Sequence, residues 1–235
     1  TAAALGKLHE EGRLDLDAPV QRYVPSFPKK KWPITTRQLA GHLAGIRHYR
    51  GAEALSNTYY PTVLDGLEIF EDDPLEFEPG TDYLYSSYGW NLISAVIEGA
   101  ADEDFLSYMK REVFAPLGMR SIVAEHNDSI IAHRARFYER ARSEGRVLNA
   151  PYVDSSYKWA GGGFISNTED LVRFGSAHLR EGFLSAETLE LLFTSQRTRD
   201  GRVTDYGIGW RSGVDEFGRR WVGHTGSSTG GRAVL

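Results

Sequence analysis

The sequence contains no cysteine, and this absence excludes several kinds of chemistry. Without a thiol there is no disulfide framework, no cysteine nucleophile and no zinc site with cysteine ligands. The patterns Gly-x-Gly-x-x-Gly and His-Glu-x-x-His are absent too, so neither a dinucleotide-binding loop nor a helical zinc pair is indicated. We therefore expect no metal ion and no organic cofactor.

An excess of positive charge and long apolar runs are also missing. The 27 basic and 32 acidic side chains leave a formal net charge of -5, which argues against a nucleic-acid partner. No apolar run reaches membrane-spanning length, and there is no signal-peptide pattern. The hydrophobic fraction of 41% over 235 residues is enough for one core, so we expect a single domain over residues 1–235.

Both ends of the sequence lie inside expected elements. The opening run TAAALGKLHEEG is helical, has no cap residue before Thr1 and stops at Gly12. The closing run GGRAVL keeps strand character to its last residue. These features predict a fragment that is truncated at both ends, with a mostly helical lobe over about 13–200 and sheet strands over about 201–235.

Apolar spacing and capping residues predict the helices of this lobe. YGWNLISAVIEGAA has apolar residues at helical spacing and predicts a helix from Trp90 to Ala101. Further helices are expected at 36–44 after a threonine cap, from a cap at Asp102 to before Pro116, at 167–180 after a capping box of Ser166 with Glu169, and at 185–193.

The pattern changes after residue 200 to short β-like runs separated by glycine and aspartate turns. These runs are DYGIGWRS, RRWVGHTG and GGRAVL. The order of elements predicts an α/β fold in which the helical lobe packs against an antiparallel sheet.

Tyr85 is the first candidate catalytic residue. It lies between the turn PGTD and the predicted helix, where its hydroxyl can point into a cleft. Beside cationic groups the pKa of a tyrosine falls, and the phenolate can act as a base. The alternative is an aromatic side chain packed under the helix, as most tyrosines are.

The segment WVGHTGSSTGG supplies a second group of candidates. His224 and Thr225 end a predicted strand, and Gly226 and Ser227 follow. A hydroxyl, a residue without a side chain and a free backbone N–H are the parts of a carbonyl-docking edge and an oxyanion hole. The alternative for His224 is a hydrogen-bonded structural residue.

Two further patterns have competing interpretations. The glycines of WAGGGF indicate either a pocket wall with Trp159 lining it or tight packing at a helix start. His42 and His48 have no carboxylate at ligand spacing, so local hydrogen bonding around a turn is favoured over metal binding.

In combination these motifs resemble the serine β-lactamase and penicillin-binding protein family. The segments that carry the resemblance are PGTDYLYSSYGWNLISAVIE, VFAPLGM, AGGGFISNTEDLVRFG and GHTGSSTGG. NAPYVDSSYKWAGGGF and HLAGIRHY are similar to the branch of mitochondrial serine β-lactamase-like proteins and their bacterial relatives. The likeness covers essentially the whole chain and implies a β-lactamase/transpeptidase-like fold.

The resemblance implies an acyl-enzyme mechanism with a Ser-x-x-Lys nucleophile motif. In relatives this motif precedes a segment like TAAALGKLHEEGRLDLD, so we expect it upstream of Thr1, with residues 1–12 as the remainder of the active-site helix. Tyr85 would help to deprotonate the serine, and Ser87 stands where asparagine is usual. His224-Thr225-Gly226 stands where Lys-Thr-Gly is usual, and Ser227 would give one oxyanion N–H.

Three Ser-x-x-Lys spacings inside the chain are expected to be chance matches. Ser26–Lys29 spans a proline, Ser107–Lys110 lies on a helix that the resemblance places away from the cleft, and Ser155–Lys158 lies in a loop. Thr1 as an N-terminal nucleophile is a further alternative, which its helical setting disfavours.

The expected activity is that of a serine hydrolase, with a peptidase favoured over an antibiotic-destroying enzyme. Ser87 cannot offer an amide N–H to a substrate carbonyl, and the charge of His224 varies with pH. Alternatives are a carboxylesterase, a DD-peptidase or a β-lactamase, and a non-catalytic binding or assembly protein. The expected partner is a peptide, ester or amide small molecule, self-association remains open, and a mitochondrial or extracytoplasmic location is implied by the resemblance alone.

Overall fold

The computed structural model describes residues 1–141 and 145–235. Within these ranges the chain forms seven α-helices, most of them before residue 180, and eight short strands. None of the described helices is both long and apolar enough to cross a membrane. The helices are α1 (Ala2–Glu10), α2 (Thr36–Ala40), α3 (Ser87–Ala101), α4 (Phe105–Tyr108), α5 (Trp159–Gly162), α6 (Thr168–Ala177) and α7 (Ala186–Phe193).

Helix α3 is the centre of the helical lobe and packs against α1, α2, α4 and α5. Leu92, Ile93, Val96 and Ile97 on this helix are completely buried in the main hydrophobic core. Each such side chain contributes about 1.5–3 kcal/mol when it is fully removed from water. The packing therefore fixes α3, and with it the residues at its N-terminus.

The N-terminus of α3 differs from the sequence-based expectation. The helix begins at Ser87, three residues before Trp90, because the side chain of Ser86 caps it and accepts the N–H of Gly89 at 3.0 Å. Tyr85 therefore lies directly before a capped helix, at the edge of a rigid element.

Two predicted caps are wrong by one or two residues. Asp102 does not begin the second helix but ends α3 with φ 51°, and Asp104 caps α4 by accepting the N–H of Ser107 at 2.8 Å. Ser166 forms no capping box, because the side chain of Asn167 accepts the N–H of Asp170 at 2.9 Å. A cap must reach a backbone N–H two or three residues ahead, and only these side chains do so.

Two other helix boundaries show how local backbone ends a helix. Helix α2 stops at Ala40 and not near 44, since His42 adopts φ 60° and leaves the helical region. Helix α4 continues as a π-helical turn over Met109–Phe114 and ends before Pro116, as predicted. The helix predicted at 185–193 is confirmed as α7, with Ser185 as its cap.

The strands form antiparallel pairs. The expected strands after residue 200 are present, although the first begins only at Arg211, and they form two pairs in the described ranges. Two short pairs in the middle of the chain were not predicted. The pairs are β1 (Val123–Ala124) with β4 (Phe164–Ile165), β2 (Tyr138–Arg140) with β3 (Val147–Asn149), β5 (Arg211–Val214) with β6 (Arg220–Gly223), and β7 (Thr225–Ser228) with β8 (Gly231–Val234).

Candidate active site

A cleft of about 190 Å³ lies between the helical lobe and the last strands. It brings together segments that are far apart in the sequence. Three of the predicted catalytic residues line it, namely Tyr85, Ser87 and His224. Thr1, at the start of α1, and Gly161, in α5, line the same cleft. The fold therefore places the motif before α3 opposite the motif at the last strands.

The glycine-rich segment contributes main chain to this cleft, but Trp159 does not line it. Trp159 is buried with its ring centroid 4.9 Å from that of His126, and Ala160 and Gly161 line the cleft instead. A Cβ at Gly161 would lie 3.4 Å from both Asn91 Oδ1 and the Ser87 carbonyl oxygen. The absent side chain allows α5 to approach the start of α3 closely.

Two histidines hold the segment that carries Tyr85. His42 Nδ1 accepts the N–H of Ser86 at 3.1 Å, and His48 Nδ1 accepts the N–H of Ser87 at 3.1 Å. These bonds link residues 44 and 39 positions apart, so the predicted local bonding around a turn is wrong. Both imidazoles act by fixing the start of α3.

Among residues 1–141 and 145–235 there is no group of three or more histidine, aspartate or glutamate side chains that could hold a metal ion. His42 and His48 each use Nδ1 to accept a backbone N–H.

Tyr85 is half-buried among aromatic rings in the cleft. Its ring centroid lies 4.2 Å from that of His42 and 6.3 Å from that of His224. Burial raises the pKa of Tyr85, and the positive charge of Arg211 opposes this shift. Burial thus outweighs the lowering effect of this cationic neighbour, and the phenol is protonated at neutral pH.

His224 is fixed on both its main chain and its side chain. It exchanges two backbone hydrogen bonds of 3.0 Å with Leu235, and its Nε2 lies 2.8 Å from the hydroxyl of Tyr206. Burial lowers the pKa of His224, its interaction with the Thr225 backbone raises it, and Arg211 lowers it further. The net fall from the ordinary histidine pKa favours the neutral imidazole, which predominates at pH 7.

Arg211 and Tyr206 were not identified from the sequence. Arg211 is the first residue of β5, and its charge acts on the pKa of both Tyr85 and His224. Tyr206 lines the cleft and bonds His224. The run DYGIGWRS contains both residues, and Tyr206 pairs with Arg211 in an isolated antiparallel bridge at the start of β5.

Strand β7 continues from His224 and presents alternate main-chain groups to its two sides. His224 and Leu235 form a hydrogen-bonded pair that continues the register of β7 and β8. Hydrogen-bonded and non-hydrogen-bonded pairs alternate along an antiparallel ladder, so the pair Ser227↔Arg232, three positions further on, is non-hydrogen-bonded. The N–H groups of Thr225 and Ser227 therefore point away from β8, whereas that of Gly226 points towards it. All three residues are exposed and lie beyond the residues that line the cleft.

The model of the family described as Beta-lactamase matches residues 1–235, the whole chain. The chain belongs to the β-lactamase family. The expected resemblance is thereby confirmed, and the helical lobe with small antiparallel sheets is the β-lactamase/transpeptidase-like α/β fold.

Individual relatives of this β-lactamase family chain agree with the family match. Serine beta-lactamase-like protein LACTB, mitochondrial, of Homo sapiens is 32% identical over 100% of the chain and 60% of its own length. Penicillin-binding protein 4* of Bacillus subtilis is 27% identical over 98% of the chain and 54% of its own length. The chain thus spans less than two thirds of these relatives.

A solved structure supports the fold independently. The D-stereospecific amidohydrolase from Streptomyces sp. matches with a TM-score of 0.82 and 24% sequence identity, over 97% of this chain and 72% of that one. At this identity the likeness concerns the architecture of the chain.

Proposed function

We propose that this β-lactamase family chain forms one side of the active site of a serine hydrolase that cleaves peptide or other amide bonds through an acyl-enzyme. The observation that carries the proposal is the cleft that gathers Tyr85, Ser87 and His224 beside the start of α1. The family match over the whole chain supports it, as does a 32% identical relative whose name contains "serine beta-lactamase-like".

The nucleophile is proposed to come from a Ser-x-x-Lys motif that precedes Thr1 in the full-length protein. Thr1 lines the cleft, and its hydroxyl donates to the carbonyl oxygen of Ala160 at 3.0 Å. Residues that precede α1 would therefore enter the cleft beside Tyr85. This position fits a serine and a lysine one helical turn apart on one face.

The Ser-x-x-Lys matches inside the chain are poor candidates by position. Ser26 and Lys29 are exposed, as are Ser107 and Lys110, and none of them lines the cleft. Ser155 is buried in a different cavity, where its hydroxyl donates to Glu125 at 3.2 Å.

The surroundings of Tyr85 support a role in proton transfer. Since its raised pKa keeps the phenol protonated, Tyr85 is proposed to donate its hydroxyl proton to the leaving amine and to take up the proton of the attacking serine in exchange, so that it begins and ends the acylation protonated. Arg211 supplies a positive charge that persists at neutral pH, in contrast to the pH-dependent charge expected of His224. The outward N–H of Ser227 is proposed as one oxyanion donor.

A peptidase is favoured over a β-lactamase because Ser87 has no amide N–H for a substrate carbonyl. A carboxylesterase uses the same groups, and a non-catalytic binding protein would use the same cleft without a nucleophile. The mitochondrial or extracytoplasmic location and self-association stay predictions from the resemblance.

Labelling of the full-length protein with a fluorophosphonate probe tests the proposal. We expect one labelled serine, which peptide mass spectrometry would assign to a Ser-x-x-Lys motif before Thr1. Labelling at Ser26, Ser107, Ser155 or Thr1 would contradict the assigned nucleophile. If no serine reacts and no amide or ester is hydrolysed, the chain belongs to a binding protein.

Tyr85→Phe tests the proposed proton relay in the same protein. The substitution keeps the ring and removes the hydroxyl, so kcat is expected to fall ~10²–10⁴-fold, the usual contribution of a proton-transfer group. Tyr138→Phe on the exposed strand β2 is the control and is expected to change nothing. A fall of less than a few-fold with acylation rate-limiting would make Tyr85 a packing residue.

A further inference from the structure

A second cavity, of about 460 Å³, lies near the far end of β7 and has a positively charged lining. Lys158, Arg134 and Arg136 line it, and Glu125 is the only carboxylate among its described lining residues. The formal charge of these four side chains is +2. The cavity is distinct from the 190 Å³ cleft, because the two share none of their described lining residues.

Lys158 is the unusual member of this lining. It is only 8% exposed, and its Nζ lies 5.5 Å from the centroid of the Tyr157 ring. In the part of the chain that the structure describes, no hydrogen bond or ion pair holds its ammonium group. Most of the side chain is buried, but its ammonium group lines the cavity and has no carboxylate of the described residues in contact, so an anionic ligand in the cavity would supply the missing counter-charge.

The acidic groups near Lys158 are already bonded to other partners. Glu125 forms an ion pair of 2.6 Å with Arg134 and accepts the hydroxyl of Ser155 at 3.2 Å. Asp154 accepts the N–H of Ser156 at 2.9 Å and the amide of Asn127 at 3.2 Å. Burial lowers the pKa of Lys158, whereas Glu125 and Asp154 oppose this fall without contacting the ammonium group.

Two chain segments connect this cavity with the catalytic cleft. Residues 155–161 begin in the cavity with Ser155 and reach the cleft at Gly161. Residues 224–229 begin in the cleft with His224 and reach the cavity at Ser228. Four steps of extended chain span roughly 13 Å, so a ligand that lies along β7 can occupy both sites.

We propose that this cavity binds an anionic group, a carboxylate or a phosphate, which the substrate carries about four extended residues from the bond that is cleaved. Lys158 is the main contact, and Arg136 supplies the second positive charge. The link to substrate choice rests on the proposed function, whereas the binding of an anion does not.

Anion binding is tested by calorimetry on the full-length protein, with glutarate and inorganic phosphate as separate probes. Lys158→Met removes the charge and keeps a similar length, and the affinity for the preferred anion is expected to fall at least roughly tenfold, as for a lost charge-assisted bond. Lys110→Met, on an exposed face of the chain, is the matched control and should bind as the parent does. Lys158→Arg keeps the charge and should retain most of the binding.

The comparison of the two probes distinguishes a carboxylate site from a phosphate site. Equal affinity in the parent and in Lys158→Met, or no binding of either anion, would overturn the proposal. The thermal transition of Lys158→Met shows whether this variant folds. If it does not, the parent protein is acetylated on lysine, and mass spectrometry identifies whether Lys158 is modified. Loss of anion binding on acetylation of Lys158 then supports the proposal, and retained binding refutes it.

A pair of amide substrates tests the link to turnover. One carries a glutamate side chain four residues from the scissile bond, and the other carries glutamine there. We expect kcat/KM to favour the glutamate substrate in the parent and this preference to fall roughly tenfold in Lys158→Met. Anion binding at Lys158 without turnover of either substrate would refute the proposed hydrolase activity and support the anion site. Turnover without a substrate preference and without anion binding would refute the anion site alone.

Discussion

His42 is expected to make the fold sensitive to acid. It is 2% exposed, its Nδ1 accepts the N–H of Ser86, and its Nε2 is buried without a partner in the described residues. Protonation of Nδ1 would remove the acceptor that holds the start of α3 and place a charge in the core. Burial, followed by the charges of His224, Arg211 and His48, lowers the pKa of His42 to about 3.

The sign and size of the effect follow from this pKa. The unfolded chain binds a proton at His42 near pH 6.5, whereas the folded chain does so only near pH 3. The contribution of neutral His42 to the free energy of unfolding is therefore fully present above pH 6.5 and is lost as the pH falls towards 3. At ~1.36 kcal/mol for each pH unit, the loss is about 2 kcal/mol at pH 5. The full shift corresponds to roughly 5 kcal/mol.

Urea unfolding at pH 7 and pH 5, followed by tryptophan fluorescence, measures this loss. His42→Asn removes the titration and suits the positive φ of 60°, because asparagine adopts this conformation readily. The variant is less stable at pH 7 but should lose about 2 kcal/mol less than the parent between the two pH values. His133→Asn is the control, since His133 is exposed and has φ 58°. If the parent, His42→Asn and His133→Asn lose equal stability, His42 does not carry the acid sensitivity.

Two further substitutions test the packing around α3. Gly99→Ala should destabilise the fold by at least ~1–3 kcal/mol despite the better helix propensity of alanine, because the new Cβ would lie 1.9 Å from the Tyr23 carbonyl oxygen. Gly89→Ala on the same helix is the control: its Cβ would have no packing neighbour closer than 3.7 Å among the described residues, so the same urea assay should show a neutral or stabilising effect. Arg47→Met should cost about 3 kcal/mol, the lower end of the range for a buried pair, because Arg47 is 6% exposed but Glu53 and Asp73 are 29% and 33% exposed. Its loss leaves Glu53 without an ion pair among the described residues and Asp73 with only the 3.9 Å pair to Arg50. Arg173→Met breaks only the exposed pair with Glu169 and should cost less than ~1 kcal/mol, so equal losses in the two variants would show that the buried pairs contribute nothing special.

The elements that were predicted correctly are those defined by local signals. Helix α7 begins after a serine cap and contains an apolar run, and the apolar residues of α3 recur at the spacing of one helix face. The errors at Asp102 and Ser166 occurred where two neighbouring residues can both act as caps. The sequence names the candidates there, but the direction of the entering chain decides between them.

The sequence motifs predicted residues of the candidate site but not the hydrogen bonds that hold them. Tyr85, Ser87 and His224 were identified and share the cleft, although their roles remain to be tested. The bonds that hold them, from His42, His48 and Tyr206, connect residues 18 to 44 positions apart. Such contacts depend on tertiary packing, and so do the directions of the pKa shifts of Tyr85 and His224.

The alternation along β7 has a consequence for how this surface tolerates substitution. The outward donors at Thr225 and Ser227 belong to the main chain, so they are present whichever side chain stands at these positions. An alanine scan would leave both donors in place and would report them as dispensable. Only proline, which has no N–H, or replacement of the peptide bond by an ester would remove them. The hydrogen-bond donors of this edge therefore depend on the backbone conformation, and substitution of side chains does not detect them.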